Sequence, residues 1–205
     1  MNSASREEID YAAVDAVLDA VGEDVAEAMK LLDGADNAHN RRSYVRAAFA
    51  AIEAVIFWIK YRELRSYERS GGDRILTPGE LSLLREETYT LNHAGQVHVQ
   101  QRFVPLDQNI RFIVKVCFHE EDVVQRIDFG GSDWANFREA MRMRNRLAHP
   151  KRSHEMDVSD SELVVMKRAY GWVWATMLRL FSDSVERLRT QAAALSSQQK
   201  DGSPA

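Results

Sequence analysis

The chain has 205 residues, 45% hydrophobic and 28% charged, with a formal net charge of −4. A domain of this size buries roughly two-thirds of its unfolded surface, so it needs no staple, and its single cysteine, Cys117, excludes an intrachain disulfide. The acidic balance argues against indiscriminate nucleic-acid binding, which ordinarily needs a surplus of Lys and Arg.

Taken in chain order, the N-terminal MNSASREEID has no apolar leader core, which gives a cytoplasmic expectation. Residues 6 to about 32 place Ile9, Val14, Val17, Leu18, Val21, Val25, Met29 and Leu32 at helical spacing, with an acidic opposite face and a weak point at Gly22. DGADNAHN supplies turn chemistry. A second helix is predicted from about 41 to 69, with Val45, Phe49, Ile52, Val55, Ile56, Ile59 and Leu64 marking it as the central buried one, ended by SGGD at 70–73. Its most apolar run, 47–59, contains Glu53 and falls short of the roughly 20 residues that span a bilayer.

TPGELSLLREETYTL reads as a capped helix, with Thr77 as the cap, Pro78 in the first turn and Glu80 three residues after the cap. Residues 92–104 alternate and predict a short strand or extended loop. A helix follows from about Leu106 to Glu120, and DFGGSD breaks the chain. Ser132 or Asp133 is then expected to cap a helix whose inner face is Trp134, Phe137, Met141 and Leu147. Ser159 or Asp160 starts a final helix to about Leu195, predicted to bury Val164, Val165, Tyr170, Trp174, Leu178 and Phe181. The whole predicts an all-α, up-and-down helical bundle with an irregular helical insertion: one domain over 1–195 and a disordered polar tail over 196–205.

The chemistry-bearing stretch is FREAMRMRNRLAHPKR at 137–152, where Arg138, Arg142, Arg144, Arg146, Lys151 and Arg152 face Glu139 alone. The first 36 residues are the opposite, rich in carboxylates with only Arg6 and Lys30 as cations. On an unbroken helix Arg144 and His149 would sit about 140° apart. Pro150 disfavours helical geometry at His149, which frees the imidazole to turn toward the face of Asn145 and Arg142. Metal-free RNA cleavage needs a proton carrier, donors for the phosphorane oxygens and an acid for the leaving 5′-oxygen. Histidine and arginine supply those parts. The remaining histidines lack metal-ligand spacing, so neither metal nor cofactor is expected.

Arg144-Asn145-Arg146-Leu147-Ala148-His149 resembles the R-N-x-x-x-H form of the motif of HEPN domains, and YVRAAFAAIEAVIFWIKY at 44–61 is similar to the earlier helix of that family. The resemblance implies an all-α domain acting as a metal-independent endoribonuclease, with a composite site across a homodimer. It implies catalytic roles for Arg144, Asn145 and His149, with Glu53 and Arg142 as support. Arg138, Arg146, Lys151 and Arg152 would position RNA. A toxin-antitoxin or phage-defence setting, with an antitoxin or regulatory partner and no membrane, belongs to the same expectation. The alternative is an inactive HEPN-like module that binds RNA, a nucleotide or another protein.

Overall fold

The computed structural model describes residues 11–69, 76–117 and 127–201. Among them are six α-helices and one hairpin: α1 (Tyr11–Gly34), α2 (Ala38–Arg69), α3 (Pro78–Leu84), β1 (Glu87–Leu91), β2 (Val97–Gln101), α4 (Leu106–Cys117), α5 (Ser132–Ala148) and α6 (Asp160–Asp201). A 3-10 turn, Ser153–Met156, precedes α6. The chain is mainly helical, as its periodicity predicts. The expected start of the first helix, the glycine break at 70–73 and the continuation of α4 to Glu120 fall outside the described residues.

Helix α2 organises the rest. Its buried positions include the adjacent pairs Tyr44–Val45, Ala48–Phe49, Ala51–Ile52 and Val55–Ile56, so the apolar surface wraps well beyond one stripe. A helix covered on several sides must be enclosed, and α2 contacts each of the other five helices. The turn from α1 is closed by Asn40, whose Nδ2 donates to the carbonyls of Leu31 and Ala35 at 2.9 and 2.8 Å, adding a second donor to each at the end of α1. Arg41 then clamps three segments: it pairs with Asp36, donates to the Val158 carbonyl at 2.8 Å, and meets Asp160 at 2.5 Å. The Arg41 guanidinium holds the Asp36 carboxyl below the usual carboxylate range.

The predicted cap at Thr77 forms in full: its hydroxyl accepts from the Glu80 N–H and the Glu80 carboxylate accepts from the Thr77 N–H. The helix behind it is shorter than predicted. It stops at Leu84, Glu86 enters the left-handed region at φ 54°, and residues 87–91 form β1 instead of helix. Alternating Thr88, Tyr89 and Thr90 favour extended backbone over helix, and β2 pairs with them antiparallel, Tyr89 opposite Val99 and Leu91 opposite Val97. Asn92 organises the connection, its Oδ1 accepting from the N–H groups of Ala94 and Gln96. Tyr89, Leu91, Val97 and Val99 share one face of this hairpin and all are exposed.

Helix α5 is capped at Gly131 with no side-chain bond, rather than by Ser132 or Asp133. A Cβ at Gly131 would meet the Asp128 carboxylate, so a larger residue there would make that exposed side chain turn away. Its inner face is Trp134, Phe137, Ala140, Met143 and Leu147, one position away from the expected Met141, which is only partly buried. Trp134 stacks on Phe137 at 5.3 Å and meets Trp172 of α6 at 5.5 Å, contacts worth about 0.5–1.5 kcal/mol each beyond area burial.

Helix α6 starts as expected, with Ser159 and Glu162 exchanging backbone bonds. Its buried stripe is Leu163, Met166, Ala169, Val173, Met177 and Leu180; Val164 and Leu178 point to solvent, and Val165, Tyr170, Trp174 and Phe181 flank the stripe. The helix extends to Asp201, through most of the stretch predicted as a disordered tail, and 202–205 lie outside the described residues. Among the described residues no helix is long and apolar enough to cross a membrane.

Candidate functional site

The C-terminal half of α5 lies over α2, and this crossing assembles the motif. Arg144 reaches back to Glu53 of α2, Nη2 to Oε1 at 2.5 Å, and its Nη1 donates to the Asn145 Oδ1 at 3.2 Å. The two neighbours orient the guanidinium while both contacts stand in solvent, so a phosphate can take the place of either. Glu53 is not enclosed by its helix: it stands on the solvent side of α2, with 44% of its side chain exposed against 36% for Arg144. The predicted support role therefore becomes a surface pairing at the groove rather than a buried one.

His149 is the first residue to leave α5, at φ −130° and ψ 54°, with its N–H still donating to the Asn145 carbonyl at 3.1 Å. The ring is exposed, and among the described residues no hydrogen bond or ion pair engages it. The chain just beyond is fixed. The Lys151 N–H donates to Glu155 at 2.6 Å and holds that carboxyl below the usual range, while Arg42 of α2 donates to the Met156 carbonyl at 3.3 Å. The imidazole thus hangs from a tethered turn.

The other basic residues divide. Arg142 does not join the cluster, because its guanidinium pairs with Glu139 one helical turn earlier on the exposed face. Arg146 turns to α6 and binds Glu162 at 2.7 Å, half-buried, which makes it a brace between helices and not a free phosphate contact. Arg138, Lys151 and Arg152 are exposed.

Beside Arg144 and Asn145 a cavity of about 130 Å³ opens between α2, α5 and the segment leading into α4, walled by Phe49, Phe103, Leu106 and Met141. A larger cavity of about 420 Å³ adjoins it, floored by Ile56 and Leu106 and walled by Phe57, Phe103, Glu86 and Asn109. Glu53, Phe103 and Leu106 line both, so the two form one groove that leads from the motif to the base of the hairpin.

Sequence reasoning missed the far end of that groove. Lys60, on α2, is 1% exposed and donates to Glu86 Oε1 at 2.8 Å and to Asn109 Oδ1 at 3.1 Å. A buried ammonium must be paired, and its partners come from the insertion, which is thereby pinned to α2. The signal available in the sequence was a lysine at a core-phase position of an apolar helix. No family model matches this chain, and no curated protein or solved structure matches it either.

Proposed function

We propose that this protein is a metal-independent endoribonuclease of the HEPN type, whose site is completed when two copies meet across a twofold axis. The observation that carries the reading is the Arg144 guanidinium, oriented by Glu53 and Asn145 beside the smaller cavity, on the same helix that ends at an exposed His149. A single such set is sparse, and a twofold interface brings two copies of the same patch together. His149 then acts as general acid or base on the ribose 2′-OH and the leaving 5′-oxygen, Arg144 takes the charge that develops on the phosphorane oxygens, and Asn145 orients them. Products carry a 2′,3′-cyclic phosphate and a 5′-hydroxyl. A toxin-antitoxin or phage-defence role with a restraining partner, inside the cytoplasm, accompanies this reading.

The exposed ring of His149 favours a second reading, a module that holds RNA without cleaving it, because a general base is normally aimed by a neighbour. RNA cleavage in EDTA distinguishes the two. His149→Ala should lower the rate roughly 10²- to 10⁴-fold while RNA binding persists. Equal cleavage by wild type and variant would sink the nuclease reading, and binding without any cleavage by the wild type would establish the module.

A further inference from the structure

The larger cavity has no part in phosphate chemistry, yet its walls are chemically specific. Phe103 is 87% exposed, standing on the segment between β2 and α4, and Phe57 of α2, also on the cavity wall, is 42% exposed. Apolar rings left open beside a cavity of ligand size form a platform for a planar heterocycle. Glu86 lines the same cavity, with its Oε1 held by the buried Lys60; among the described residues no hydrogen bond uses its Oε2. Its backbone is in the left-handed region at φ 54°, a conformation that costs energy for a residue with a side chain. Lys60 on one side and the Arg102 N–H donating to the Glu86 carbonyl at 2.7 Å on the other keep it there. Such a carboxylate is fixed before any ligand arrives.

We propose that this cavity is a nucleobase subsite selective for guanine, an extension of the RNA-cleavage reading in which the base stacks on Phe103 while its phosphate lies toward Arg144. Guanine is the choice among the four bases because only its edge presents two adjacent donors, N1–H and N2–H₂, to one carboxylate. Adenine and cytosine set an acceptor beside their amino group, and uracil sets carbonyls on both sides of its N–H. A carboxylate has about four acceptor positions, so Glu86 accepts both donors while keeping its bond to Lys60. Glu53 is less suited to the task because it faces Arg144 at the junction of the two cavities.

The test is calorimetric titration of the full chain with 5′-GMP, AMP, CMP and UMP. GMP should bind saturably and at least tenfold more tightly than the other three. Phe103→Ala should weaken GMP about tenfold or more without lowering the melting temperature, since the ring is exposed, and Phe103→Tyr should restore it. Glu86→Gln should erase the preference for GMP. Equal affinity for all four nucleotides, or GMP binding untouched by Phe103→Ala, overturns the subsite. The outcome is separable from that of the nuclease: guanine-selective, Phe103-dependent binding by a chain that cleaves nothing supports the subsite alone. His149-dependent cleavage without base preference or GMP binding retains the nuclease and removes the subsite.

Discussion

Glu53 and Glu86 line the same cavity, and each gives one oxygen to a cation. The cations differ in setting: the Lys60 side chain is 2% exposed, the Arg144 side chain 36%. At the hairpin end the ammonium is enclosed between α2 and α4 while Glu86, 31% exposed, closes over it from the cavity, so the pairing is a condition of the fold. At the motif end the pair stands in water, where ions and ligands compete for the guanidinium at small cost. One groove therefore has a rigid end suited to reading shape and an exchangeable end suited to gripping and releasing an anion.

The largest effect that can break this contrast is on stability. Glu86→Ala strands the Lys60 ammonium with Asn109 alone, and breaking a buried pair costs on the order of 3 kcal/mol. Thermal or urea unfolding should register that loss, and adding Lys60→Met, which removes the stranded charge, should recover most of it. A melting temperature unchanged by Glu86→Ala would show that water reaches Lys60 and that both ends of the groove behave alike.

Burial makes a second contribution away from the groove. Desolvation pushes the Tyr44 phenol up to about 12 from its ordinary 10.0, and burial raises Tyr170 as well. Below pH 10 the phenol is protonated folded or unfolded. Between pH 10 and 12 only the unfolded chain releases the proton, so stability is present below that window and declines as pH rises through it, by about 2–3 kcal/mol for Tyr44. Tyr44→Phe should flatten the alkaline slope of the melting temperature. A slope that survives the substitution assigns alkaline unfolding to other groups.

What was legible in the sequence follows the range of the interactions involved. The Thr77 cap, the Ser159 start of α6 and the central place of α2 rest on residues within a turn or on a strong period, and the chain displays them directly. The Arg144–Glu53 pairing was open to inference because both residues were odd for their helices. Half of the hairpin was legible, since residues 92–104, read as a strand or extended loop, hold β2; β1 was lost because a helical start at Pro78 carried the prediction past Leu84, where a left-handed Glu86 reverses the chain. Helix α6 was rotated because Val164 and Leu178 are apolar but exposed, so hydrophobicity alone misplaced its inner face. Lys60 shows only as a cation in a core phase, and its pairing was illegible because Glu86 and Asn109, which make its burial tolerable, lie 26 and 49 residues away. No local window contains all three.

The smallest effect sharpens the contrast from the other side. Glu53→Ala removes an exposed partner, and exposed ion pairs contribute about 0–1 kcal/mol, so unfolding should shift little. Its effect should appear in binding instead. Without the carboxylate, Arg144 no longer has to leave one anion for another, and a negative charge is gone from a groove proposed to hold a polyanion. Affinity for single-stranded RNA should rise several-fold at low salt, and the gain should fade toward 1 M salt, where screening shortens to about 3 Å. A loss of stability comparable to that of Glu86→Ala would make Glu53 a structural clamp. Weaker RNA binding would mean that the carboxylate aims the guanidinium more than it competes for it, and the motif end would then be as preorganised as the hairpin end.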